Sequence, residues 1–244
     1  MVKNKKWLGQ HWLQDRATLD YIAENARVEG IEQVLEIGPG LGTLTAALFR
    51  VFPKVLAVEF DEELATKLPG SFPGKDLEVV HQSFLDFDLN TIKGKYVAAG
   101  NIPYYITSPI IQKLLKAENK PAKIVLLVQK EVAERAVGQD GETMLSLAVG
   151  TYSKAELGKV VPKGLFIPPP KVDSAVLILT PYDKPKASEE DLAFAKRGFI
   201  LVAQNEETLE EHIRQIASFY PPPFESNTEV FVKRIIEAIT DWTK

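Results

Sequence analysis

Two stretches of the chain carry residue types whose spacing suits chemistry. The first, VLEIGPGLGTLT over 34–45, sets Glu36 ahead of Gly38, Gly40 and Gly42 at alternate positions. Such a turn can adopt positive φ and lets backbone N–H groups approach a ligand with no Cβ in between. A nucleotide-like molecule is its natural occupant. Glu59 ends the apolar run 55–58, where a carboxylate accepts hydrogen bonds from ribose hydroxyls. The second stretch is Asn101-Ile102-Pro103-Tyr104. Here the Asn101 side-chain oxygen and the Ile102 carbonyl can hold both hydrogens of an exocyclic amine. Two acceptors favour a pyramidal nitrogen with a free lone pair, which a ring-conjugated amine otherwise lacks. Tyr104 offers a face on which a base can stack. A base inside a helix cannot reach such a slot, so the target is single-stranded or flipped out.

The glycine spacing narrows the cofactor. A dinucleotide fingerprint needs Gly or Ala at position 43, where Thr43 stands. The form Glu36-x-Gly38-x-Gly40-x-Gly42 resembles instead the first motif of S-adenosylmethionine methyltransferases. A sulfonium donor is already activated, so the protein supplies position and electrostatics. Neither a catalytic His or Cys nor a metal is then expected. The dinucleotide spacing and an obvious proton donor are both missing, which disfavours a nicotinamide oxidoreductase.

These residues need strands to carry them. Apolar runs predict strands at 34–37, 55–58, 78–81, 95–99, 124–128, 145–149 and 175–179. Helical spacing falls between them, over 15–26, 43–49, 62–68, 109–116 and 131–137, with Asp61 placed to cap the third. Alternation of this kind predicts an α/β fold, a doubly wound Rossmann-like sheet with its ligand crevice beyond the C-terminal strand edges. Glu36, Gly38, Glu59, Ser83 and Asn101 should converge there. Pro185 and Ser188 mark a change of character. Residues 1–182 are therefore expected to form the catalytic domain. Residues 183–244 should form a small helical domain, with helices over 189–201, 206–219 and 228–242.

Composition sets the outer limits. The 244 residues are 45% hydrophobic and 25% charged, with no cysteine, so a thiol nucleophile, a disulfide frame and a Cys-ligated zinc are excluded. No apolar run approaches the roughly 18 residues of a membrane span. The basic N-terminus is followed by no apolar leader, so a cytoplasmic protein is expected, with monomer as the default state. From Asp183 onward eight Lys and Arg face twelve Asp and Glu, so the whole net charge of −4 sits in that tail.

Taken in order, the motifs resemble those of the ribosomal RNA adenine dimethyltransferases, especially the bacterial small-subunit branch of KsgA type. The likeness runs from Gly9 to about Pro181. It rests on GQHWL-x-D from Gly9, VLEIGPGLGTLT, AVEFD, NIPYYITSPII, QKEVAER and LFIPPPKVDSAVL. The resemblance implies S-adenosyl-L-methionine as cofactor, contacted by Gln10, His11, Leu13, Glu36, Gly38, Gly40, Gly42, Glu59, Phe60, Ser83, Phe84 and Asn101. It implies that Asn101, Ile102, Pro103 and Tyr104 hold the adenine, with Phe166 closing over it. It also implies that the partner is small-subunit rRNA in a ribosomal precursor, with two methyl groups added to each target amine. Two rivals follow from the same likeness: a large-subunit enzyme of the erythromycin-resistance type, and a weakly catalytic assembly factor. Departures motivate the latter. Trp12 stands where Phe is usual, Ser83 where an Asp binds the cofactor's adenine, and Asn205, Glu206 and Glu207 where the family's RNA-facing helix is basic.

Overall fold

The computed structural model describes residues 10–139 and 143–188. The basic arm at 3–6 and the tail helices expected beyond 188 lie outside the described residues. Nine strands and six α-helices are described: β1 (Trp12–Leu13), α1 (Arg16–Ala26), β2 (Gln33–Ile37), α2 (Thr43–Leu48), β3 (Lys54–Glu59), α3 (Glu62–Lys67), β4 (Asp76–His81), β5 (Val97–Asn101), α4 (Thr107–Lys116), β6 (Ile124–Gln129), α5 (Lys130–Ala136), α6 (Met144–Tyr152), β7 (Ser153–Val161), β8 (Phe166–Ile167) and β9 (Ser174–Pro181).

Seven strands form one sheet in the order β4-β3-β2-β5-β6-β9-β7. The first five are parallel, as the alternation of strands and helices predicts. The last two close that edge antiparallel. The strand order reverses at β2, which pairs with β3 on one side and β5 on the other. Ligand crevices of open sheets form at such a switch point.

Side chains alternate across the sheet and divide the core in two. Leu35, Ile37, Leu126 and Leu177 pack with α4, α5 and α6. Val34, Val97, Leu127 and Val176 pack with α1 and α2 on the other face. Caps fix the helix starts: Asp15 accepts from the Thr18 amide at 2.9 Å, and Asp61 accepts from the Glu63 amide at 3.1 Å.

Two expectations change. The run 145–149 belongs to α6, not to a strand. A short apolar run fits either element, and here a capping box decides. Thr143 Oγ1 accepts from the Ser146 amide at 3.1 Å, and Ser146 Oγ accepts from the Thr143 amide at 2.7 Å. The strand after it, β7, was missed because its outer face is charged; Lys154 and Glu156 pair there at 3.0 Å. Beyond β9 the chain is tied back to the domain. Lys120 Nζ donates to the Tyr182 and Asp183 carbonyls, and the Tyr182 amide donates to the Tyr152 carbonyl at 2.8 Å.

The β2–β5 seam is a close joint near the switch point. A Cβ on Gly100 would stand 2.8 Å from the Ile37 carbonyl oxygen, closer than side chains approach backbone. Gly100→Ala should therefore destabilise the fold by about 1–3 kcal/mol. Gly150→Ala, in α6 with nothing within 4 Å of an added Cβ, should be neutral or stabilising by about 0.5–1 kcal/mol. Urea unfolding midpoints of the two variants check the contrast.

Candidate active site

The C-terminal ends of β2, β3 and β5 open into one crevice, and the segment before β1 crosses its mouth. Gly38, Gly40, Glu59, Asn101, Ile102, Pro103 and Tyr104 line it together with Gln10 and His11. The glycine turn takes positive φ at Gly38, Gly40 and Gly42, as its spacing predicts. The Gly38 amide donates to the Val58 carbonyl at 3.0 Å, which holds the turn against β3. Trp12 also lines the crevice; a Cβ on Gly40 would stand 3.2 Å from its Nε1.

Backbone donors brace the Glu59 carboxylate. Oε2 accepts from the Gly40 amide at 3.0 Å and Oε1 from the Asp61 amide at 2.8 Å. Burial pushes its pKa up, while the Asp61 and Gly40 amides pull it down. Gln10 Nε2 donates to Asp61 Oδ2 at 3.1 Å and so ties the N-terminal segment to the same strand end.

Asn101 is fixed from the other side. Its Nδ2 donates to the His11 carbonyl at 2.8 Å. A carbonyl only accepts, so the amide nitrogen is committed and the oxygen is left to serve the crevice. Tyr104 is held at its tip, its hydroxyl 2.7 Å from Ser174 Oγ. Burial raises the pKa of that phenol, with Ser174 acting against the shift. The Tyr104 ring stacks on His11, with centroids 6.0 Å apart and planes inclined by 21°.

Several expected contacts are not among the crevice residues. Leu13 and Phe166 are opposite one another in the β1–β8 pair, Trp12 opposite Ile167. Alternation turns the first pair inward, where both join the α1–α2 side of the core, Phe166 being 2% exposed. Phe166 packs in the core in this structure and does not line the crevice. Gly42 makes room for packing, since a Cβ there would stand 2.8 Å from Leu68 Cδ1 and 2.9 Å from Phe72 Cε2. Ser83 folds into a turn, its carbonyl accepting from the Asp86 and Phe87 amides. Phe84 packs in the core cluster of α4. Phe60 is 53% exposed and does not line the crevice. Trp12, Pro39, Thr43 and Tyr105 line the crevice and were missed. The odd Trp in GQHWL was the available signal for the first of them.

Glu36 is also displaced from its expected role. It is fully buried on the α2 side of β2, and neither its oxygens nor the Thr45 hydroxyl has a hydrogen-bond partner. Burial pushes its pKa to about 8; Thr45 pulls the other way without reaching bonding geometry, and Glu59 adds repulsion.

The crevice fits a nucleoside carrying positive charge. It offers a carboxylate, amide and backbone acceptors and aromatic faces, and among the described residues no Lys or Arg lines it. A pyrophosphate would find no countercharge there. Sheet order and site together define the Rossmann-like class of S-adenosylmethionine-dependent methyltransferases. The family model described as ribosomal RNA adenine dimethylase matches residues 1–220, and the chain belongs to that family.

Relatives agree with this placement. A ribosomal RNA small subunit methyltransferase A from Dehalococcoides mccartyi is 40% identical over 181 residues, 72% of this chain and 62% of its own length. The chain thus spans 62% of the length of the first curated relatives it matches. The crystal structure of the 23S rRNA methyltransferase ErmE aligns with TM-score 0.70 and 30% identity, covering 82% of each chain. A dimethyladenosine transferase from Plasmodium falciparum aligns with TM-score 0.64 and 33% identity, covering 74% of this chain and 67% of its own.

Two outcomes test these placements. An acid whose folded pKa is raised gives stability that is full below its unfolded value and lost as pH rises through the folded one. For Glu36 that window runs from about 4.5 to about 8. Thermal midpoints should fall across it, and Glu36→Gln should flatten the fall. Phe166→Ala should cost about 3–5 kcal/mol in urea unfolding, as for a large core ring.

Proposed function

We propose that the chain is an S-adenosylmethionine-dependent adenine N(6)-dimethyltransferase acting on small-subunit rRNA within a ribosomal precursor. The observation that carries this reading is the Asn101 amide. Its nitrogen donates to the His11 carbonyl, which leaves the oxygen as the free acceptor of a residue that lines the crevice with Gly38, Gly40 and Glu59. An acceptor held at that spot suits an amine that must be stripped of its planarity.

When bound, the cofactor supplies an electrophilic methyl group on sulfur. Gly38 and Gly40 would leave room for it against the backbone, and Glu59 would accept from its ribose hydroxyls. Asn101 Oδ1 and the Ile102 carbonyl accept the two N–H bonds of the adenine amine. Those bonds favour a tetrahedral nitrogen and aim its lone pair. Pro103 carries no N–H that would compete for the same acceptors. Tyr104, fixed through Ser174, supports one face of the base. Since the amine keeps one hydrogen after the first transfer, the same acceptors serve a second round.

The relatives named as small-subunit enzymes favour that subunit. The likeness to the ErmE structure favours a second reading, methylation of large-subunit rRNA. Among the described residues no helix is long and apolar enough to cross a membrane, and we place the protein in the cytoplasm as a monomer. Incubation with labelled S-adenosylmethionine and unmethylated small or large subunits, followed by mapping of modified bases, separates the readings. Dimethyladenosine in small-subunit rRNA is expected; label confined to large subunits overturns the choice. Asn101→Ala should lower transfer about 100-fold or more, while calorimetry finds cofactor affinity changed only a few-fold.

A further inference from the structure

We infer that three lysine-bearing loops at the pole opposite the crevice form a second seat for rRNA, one that grips phosphate backbone remote from the target adenine. This rests on the reading of the chain as an rRNA-modifying protein.

Strand register brings the loops together. Ala98 of β5 pairs with Ile124 of β6, and Ile124 with Leu179 of β9. Segments 92–95, 119–123 and 182–186 therefore lie side by side where β5 and β6 begin and β9 ends. Along β5 that edge is about 13 Å from Asn101. Each loop carries two lysines: Lys93 and Lys95, Lys120 and Lys123, Lys184 and Lys186. Asp183 is the one acid on the three loops, and Glu118 precedes the second.

Hydrogen bonds make one platform of them. Asn119 Nδ2 donates to the Leu89 and Ile92 carbonyls, each at 2.9 Å, and the Tyr96 hydroxyl donates to the Asn119 carbonyl at 2.7 Å. Lys120 Nζ fastens the second loop to the third through the Tyr182 and Asp183 carbonyls. The Lys186 amide donates to the Thr151 carbonyl at 2.9 Å, and its ammonium lies 4.5 Å from the Tyr182 ring centroid. Loops ordered beforehand give up little freedom on binding. Beside Lys120 five ammonium groups remain, and among the described residues none of them forms an ion pair. Cations elsewhere on the domain do so, as Lys67 with Glu63 and Lys159 with Asp15.

The chemistry of the platform selects a polyanion. Of the large apolar side chains exposed among the described residues, none lies on these loops, so a protein partner would find no anchor there. Base stacking has no free ring to use, since Tyr96 is buried and Lys186 lies over Tyr182. Lysines alone neutralise phosphates and release counterions without reading sequence. Such a hold is needed, because among the described residues no Lys or Arg lines the crevice.

The test compares two triple variants of the full chain. Lys93→Gln/Lys95→Gln/Lys184→Gln removes exposed charge from the platform, and Arg27→Gln/Lys67→Gln/Lys75→Gln removes the same charge elsewhere on the surface. Binding to unmethylated small subunits is followed by filter retention between about 50 and 200 mM salt. Three lost phosphate contacts should lower the slope of log affinity against log salt by about 2 and weaken binding about tenfold. In methyl transfer the loss should fall on KM, with kcat and calorimetric S-adenosylmethionine affinity within about twofold of the native values. Unchanged slope and affinity overturn the inference; carbodiimide cross-links from Lys93 or Lys95 to the acidic segment 205–211 would then name the tail as occupant. Equal losses in the two triple variants overturn it as well, since net charge alone would account for them. If the native protein methylates neither subunit, the adenine-methylation reading fails separately. A fluorescently labelled RNA hairpin of unrelated sequence then reads the platform alone. A steeper salt slope for the native protein than for the platform variant supports it, and equal slopes overturn it.

Discussion

The hydrogen bond from Asn101 to the His11 carbonyl joins two parts of the chain 90 residues apart. Each end of it depends on something else. Asn101 is where it is because β5 ends at the switch point of the sheet. His11 is where it is because Gln10 reaches Asp61, and because β1 pairs with β8. Without the bond the amide is free to rotate about its last torsion, with nitrogen and oxygen equally able to face the crevice. With it, one atom is chosen. A reaction that needs an acceptor and not a donor depends on that choice.

Electrostatics follow the same economy. The buried carboxylate of Glu59 accepts from two backbone amides, not from a cation; burial raises its pKa and those amides work against the rise. Glu36, one layer deeper, has no such donors. The charge of Glu59 also opposes the ionisation of Glu36. Two residues of the same chemistry are thus set apart by their donors: Glu59 lines the crevice with both oxygens bonded, and Glu36, without partners, holds its proton to higher pH.

Much of this was legible in the amino-acid sequence. Glycine spacing, the caps at Asp15 and Asp61, and the apolar runs of the parallel strands are local signals, and local physics decides them. The convergence of Gly38, Glu59 and Asn101 follows from strand order, which alternation of elements implies. What was not legible was which face a residue takes. Leu13 follows a crevice residue in sequence, Phe166 pairs with Leu13, and Glu36 lies two positions before Gly38, yet register and pleat turn all three into the core. A shift by one position moves a side chain from ligand to packing. The apolar run at 145–149 failed for a different reason: only the reciprocal bonds of Thr143 and Ser146 distinguish its helix from a strand.

The glycine at the β2–β5 seam has a further consequence. Where two strands meet with main chain against main chain, their spacing is set by atoms common to every sequence. The helices above and below can exchange leucine for isoleucine, or trade volume between the two core clusters, without altering that spacing. The Asn101 amide, one residue on, thus inherits its position from the polypeptide's own geometry, and the domain is free to drift in its interior composition while that amide keeps the same address.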